Sequence, residues 1–147
     1  MKNLVTILVG AFIALFVFLA ICIGFFRYYG SGLDISSNKY VEKIIPEIAS
    51  SWNPQVLIKS SSVEFKKKAS EAQIDQLFFK LSRLGALSKI ETNKGNCRMG
   101  YTSGEGLLVT AHYQAFATFA HGEANFTVNL IQHNGQWQIL GFFVDPP

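Results

Sequence analysis

The sequence predicts an α+β domain, with helices packed on a curved, cone-like antiparallel sheet, behind a single N-terminal transmembrane helix. Three observations predict it. An apolar run of 23 residues, Leu4 to Phe26, stands between Lys2 and Arg27 and carries no charge. Apolar residues then recur at helical spacing through the first half of the chain. From Leu107 onward the period changes to two, and Asn134-Gly135 punctuates it with the strongest hairpin signal in the sequence.

As a helix, the first run is about 34 Å long, enough to cross a hydrocarbon core of roughly 30 Å. It is too long for the apolar part of a cleaved leader, and Gly24-Phe25-Phe26-Arg27-Tyr28-Tyr29 is poor cleavage chemistry. Those rings and the guanidinium instead suit the headgroup layer, where amphipathic side chains reach for water. The expected organisation is an anchor over 1–28 that contacts lipid through residues 4–26, a flexible linker over 29–35, and a globular domain over 36–147. A short basic start before a long apolar stretch reads as a signal-anchor. The C-terminal domain is therefore expected outside the cytoplasm, in a periplasm.

Ser36 or Ser37 is expected to cap a helix carrying Tyr40, Val41, Ile44, Ile45 and Ile48, with Pro46 kinking it and Trp52-Asn53-Pro54 closing it. A short helix is expected within Gln55 to Lys68, burying Val56, Leu57, Val63 and Phe65. Ser70-Glu71-Ala72-Gln73 is a capping box, and Ile74, Leu77, Phe78, Leu81 and Leu84 follow on one helical face. Gly85 is expected to stop this helix in a left-handed conformation. Leu87 to Glu91 reads as a first strand, and Thr92 to Gly106, rich in Gly, Asn and Ser, as loops around a short strand.

The alternating half orders the side chains by face. Pairing His133 with Gln136 across Asn134-Gly135 sets Leu130 opposite Ile139 and Val128 opposite Gly141. One face then collects Tyr113, Ala115, Ala117, Phe126, Val128, Leu130, Trp137, Ile139 and Phe143, and must pack under helices. The other collects His112, Gln114, Glu123, Asn125, Thr127, Asn129 and Gln138, with an apolar stripe of Leu140, Phe142 and Val144 beside Phe116. An exposed apolar stripe on a polar face marks an interface, so Phe116, Leu140, Phe142 and Val144 are the candidate contact residues for a protein partner or a homodimer. A candidate pocket for a small apolar ligand or lipid lies between Tyr113, Phe126 and Trp137 and the helix bearing Phe78 and Leu81.

Charge divides the domain. Lys39 to Arg98 holds eleven Lys or Arg against six Asp or Glu, whereas Met99 to Pro147 holds none against three. Such a split orients a domain over anionic headgroups or toward an acidic partner. Lys66-Lys67-Lys68 is the densest cluster and too short for a nucleic-acid surface. Cys97 is alone in the domain, so no internal disulfide is expected, and its environment suggests a small hydrophobe rather than a reactive thiol. His112 and His133 fall on the polar face and His121 in a turn, which assembles no metal site. No cofactor is expected.

With helices first, a Leu84-Gly85 stop, and an ending of Asn134-Gly135-Gln136-Trp137-Gln138-Ile139 then Phe142-Phe143-Val144, the chain resembles the nuclear transport factor 2-like, cystatin-like α+β superfamily, as a small membrane-anchored bacterial member. The resemblance covers about Ser36 to Pro147. It implies helices closing one side of a cone. Families of this fold include ketosteroid isomerases, dehydratases and polyketide cyclases, and also non-catalytic, membrane-tethered periplasmic subunits of type IV secretion channels. Its enzymes place an aspartate or histidine in the cone. The inward face assigned above offers only the Tyr113 hydroxyl, with Gln132 and Trp137 at the rim, so acid–base chemistry is disfavoured. The expectation is a non-catalytic accessory or scaffold domain acting through protein contacts; the alternative is the apolar-ligand module. An enzyme would require an acid outside the assigned face, such as Glu91, Glu105 or Asp145.

Overall fold

A computed structural model describes the backbone of residues 2–102 and 106–145, and within them every side chain except those of 2–11, 26–31, 92–93 and 102. Four helices precede a four-stranded meander. The helices are α1 (Lys2–Ser51), α2 (Pro54–Ser60), α3 (Val63–Lys68) and α4 (Glu71–Leu81), the last followed by a 3-10 turn over Ser82–Leu84. The strands are β1 (Leu87–Thr102), β2 (Gly106–Phe119), β3 (Gly122–His133) and β4 (Gln136–Asp145), antiparallel in the order β1-β2-β3-β4. The α+β class read from the sequence is therefore present.

Contacts divide the chain after Leu33 into two units, 1–33 and 34–147. The first is helical throughout its described part. Among the described residues no helix is long and apolar enough to cross a membrane. Of the run Leu4–Phe26, only 12–25 have described side chains, too few to span. Residues 29–35, expected as a linker, are helical, and so the Ser36/Ser37 cap does not form. Pro46 lies inside α1 without ending it.

In the second unit, α1 from Ser37 to Ala49 buries one stripe: Ser37, Val41, Ile44, Ile45, Ile48 and Ala49. The helix closes at Trp52, whose N–H donates to the Ile48 carbonyl and whose φ of 45° is rare for so bulky a residue. Its ring stacks on Phe119 and Phe126 and meets Phe78 edge-on, which holds that backbone in place. The segment expected as one short helix is two, α2 and α3. Asn53 caps the first and Ser62 the second. Leu57 and Phe65 are buried as expected, but Val56 is half-buried and Val63 is 61% exposed.

The capping box of α4 forms in full, with Ser70 Oγ accepting from Gln73 N–H and Gln73 Oε1 accepting from Ser70 N–H. Ile74, Phe78 and Leu81 are buried; Leu77 and Leu84 are half-buried. Gly85 does take a positive φ (79°), but with ψ of −157° it is extended rather than left-handed helical. Beyond it, β1 is one long strand where loops were expected. It pairs with β2 from Leu87↔Phe119 to Thr102↔Gly106 and absorbs two register shifts, at Leu87/Lys89 and Glu91/Lys94.

The β3–β4 hairpin turns on Asn134 and Gly135, with φ of 51° and 78°, the pair of positive values that a two-residue type I′ turn requires. His133↔Gln136 and Leu130↔Ile139 pair as expected. A bulge at Leu140 then shifts the register, so that Val128 faces Phe142 rather than Gly141. Because side chains alternate, one extra residue turns the end of the strand over. Phe142 (6% exposed) and Val144 (9%) point into the core, and Phe143 (56%) points out. This corrects the face assignment: the outer stripe of Leu140, Phe142 and Val144 does not exist.

Candidate functional site

The inner face of the sheet is filled. Tyr113, Phe126, Trp137, Phe78 and Leu81, expected around a ligand cavity, are all buried, and Phe78 and Phe126 pack against Phe142 at centroid distances of 6.3 and 5.8 Å. They form the core itself, together with Trp52 and Phe119.

A polar cluster lies in this core where α1 crosses β1 and β2. It is separate from the Trp52 indole N–H, which is buried with no hydrogen-bond partner among the described residues. Ser37 Oγ, fully buried, donates to the Asp34 carbonyl (3.1 Å) and lies 2.7 Å from Tyr113 Oη and 3.0 Å from Cys97 Sγ. Cys97 N–H donates to Asp34 Oδ1 at 2.7 Å, and Tyr113 O–H reaches the Asp34 carbonyl at 3.3 Å. Nearby, Trp137 Nε1–H donates to Ser36 Oγ at 3.0 Å. Gly95 pairs with Tyr113, and a methyl group there would overlap the Tyr113 ring and the His112 carbonyl, so the glycine is what lets that ring lie flat across β1. Burial raises the Tyr113 phenol above its ordinary pKa and does the same to the Cys97 thiol, with the Ser37 hydrogen bond opposing in both. A thiol held protonated is a weak nucleophile, and the cluster is satisfied within itself. It ties α1 to the sheet.

The missed members, Asp34 and Ser37, do carry a sequence signal. Residues 34, 37, 41, 44 and 48 repeat at the three- and four-residue spacing of one helical face. That stripe continues N-terminally past the expected start of the helix.

The outer face is polar and holds two shallow hollows, of about 390 Å³ beside Lys94, Gln114, Phe116 and Asp145, and about 460 Å³ beside Arg98, His112, Asn129 and Leu140. His112 Nδ1 lies 2.7 Å from Asn129 Oδ1. Phe116 and Leu140, the two candidate contact residues that remain on this face, are half-buried and line different hollows. Among the described residues no three of His, Cys, Asp or Glu converge on a metal position. Glu91 and Lys89 form an exposed ion pair, Asp145 ends β4, and Glu105 lies outside the described residues.

A third concavity is apolar. It runs along the free edge of β4, with Leu57, Phe65, Ile74 and Leu77 from the helices and Gly141 and Phe142 from the strand around about 280 Å³. A smaller hollow of about 190 Å³ shares Phe65, Ala69 and Ile74 and extends it to Lys66. At the far end of the same edge, Ser62 N–H donates to the Ile139 carbonyl, and His133 Nε2 approaches Glu64 Oε1 at 3.3 Å. The Ser62 hydroxyl, foremost, holds the Glu64 carboxyl below its ordinary pKa. No family model, curated protein or solved structure matches this chain.

Proposed function

We propose that this protein is a membrane-anchored, non-catalytic accessory domain that works through protein–protein contacts, as a nuclear transport factor 2-like fold carried on one transmembrane helix. The observation that carries the anchor is the uncharged run Leu4–Phe26, 23 residues long and helical along its length. The way the inner face is used supports a role in contacts rather than chemistry. The Ser37 cluster is spent on joining α1 to the sheet, and the aromatic residues of the inner face fill the volume where a substrate would sit. The apolar surface that remains concave is at the rim, beside β4, where a partner reaches it from solvent.

Fractionation of cells expressing the full chain and a chain lacking residues 1–28 tests the anchor. The full chain stays in the membrane pellet through alkaline carbonate washing, and the shortened chain does not. Release of the full chain by carbonate overturns the anchor, whatever the domain binds.

A further inference from the structure

The free edge of β4 and the lysines beside it specify an occupant. His133 and Gln136 flank a two-residue turn and pair with each other. Alternation from that pair directs the backbone groups of Ile139 away from β3, and its carbonyl accepts from Ser62 N–H at 2.9 Å. Ser61 thereby forms a parallel bridge with Ile139, a first rung laid on the edge by the chain itself. The bulge at Leu140 adds one residue, so beyond it the backbone groups of Phe142 and Val144 face the open edge. There α3 and α4 stand back from the strand and leave the apolar slot, walled by Phe65, Ile74 and Leu77.

Charge selects among occupants. Lys66, Lys67 and Lys68 fill the last turn of α3, all three are exposed, and none has an ion-pair partner among the described residues. Lys68 lines the slot and Lys66 its extension. A second copy pairing β4 to β4 would bring two such clusters to one side of a continuous sheet, where they repel.

We propose that the β4 edge binds an extended segment of a partner protein as a fifth strand, one with apolar side chains at alternate positions for the slot and an acidic flank for Lys66–Lys68. The mode is strand addition, in which main-chain hydrogen bonds supply affinity and side-chain slots supply selectivity. It rests on the protein-contact reading above and names the site and the kind of segment.

The test uses the detergent-solubilised full chain and a displayed library of random ten-residue peptides. Selection enriches sequences with alternating apolar residues next to Asp or Glu. The enriched peptides slow amide exchange at Phe142 and Val144. Replacing Lys66, Lys67 and Lys68 together by Glu weakens binding about tenfold or more, while replacing them by Arg preserves it. These positions are exposed. Replacing all three by Gln, which puts no negative charge at the C-terminal pole of α3, weakens binding in the same direction. An unchanged thermal transition in each variant separates lost binding from lost folding. Enrichment of basic or non-alternating sequences, no enrichment, exchange protection that spares β4, or a β4-to-β4 dimer that excludes the peptides overturns the proposal. The anchor stands or falls separately. A carbonate-resistant chain that selects no such peptide defeats only the strand-addition site, and a carbonate-released chain that does select them defeats only the anchor.

Discussion

Ser37 sets the local chemistry of the interface between α1 and the sheet. A fully buried serine is tolerated there because its hydroxyl meets Asp34, Cys97 and Tyr113, and an unmade hydrogen bond in such a place costs about 1–3 kcal/mol. The same burial keeps Tyr113 and Cys97 in their neutral forms. Both pKa values are raised on folding, so the stabilisation is fully present below the unfolded values and is lost as pH rises through the folded ones. Urea unfolding at a series of pH values therefore gives a level plateau near neutrality and a decline that begins between about pH 8.5 and 10, the ordinary thiol and phenol range. In Tyr113→Phe the phenol's share of that decline disappears, and neutral-pH stability falls by about 1 kcal/mol. Burial also raises the Tyr40 phenol, which contributes to the same decline. A decline that survives Tyr40→Phe, Tyr113→Phe and Cys97→Ala together would therefore place its origin elsewhere.

At the scale of elements, the sequence disclosed order and mostly face, but not irregularities. The capping box at Ser70 and the turn at Asn134-Gly135 were legible because each is a local device completed within four residues. The Leu140 bulge was not legible from the alternation, because its one mark, Gly141 inside the strand, equally marks a close backbone approach and does not say which residue is extra. It arises where Phe142 finds Phe78 and Phe126 on the inner side. The length of β1 was hidden for a related reason. Gly95, Asn96 and Gly100 have little intrinsic preference for a strand, and pairing with β2 overrides it. The Phe142/Phe143 pair tests the register directly. Phe142→Ala costs about 3–5 kcal/mol, whereas Phe143→Ala stays within about 0.5 kcal/mol. The unshifted register requires the reverse order in thermal or denaturant unfolding.

At the scale of the molecule, the expected cone is occupied by its own side chains, and the expected contact stripe on the outer face is gone. The lost stripe follows from the one bulge that turns Phe142 and Val144 inward, whereas the cone is filled mainly by Trp52, Phe78, Phe119 and Phe126, which Phe142 joins. What they leave is a lopsided surface. Every Lys and Arg of the domain lies between Lys39 and Arg98, and the three on α3 stand beside the apolar slot at the β4 edge. In the strand-addition proposal, an acidic, extended partner is steered by the charge and held by the edge. Photo-crosslinking in intact membranes tests this account most directly, with the photoreactive side chain at Phe143, which is exposed beside the slot. The account predicts a discrete adduct with a different protein, retained in the carbonate-washed pellet and lost when Lys66, Lys67 and Lys68 are changed to Glu. A chain that crosslinks only to its own copies, or that forms no adduct at all, would contradict it.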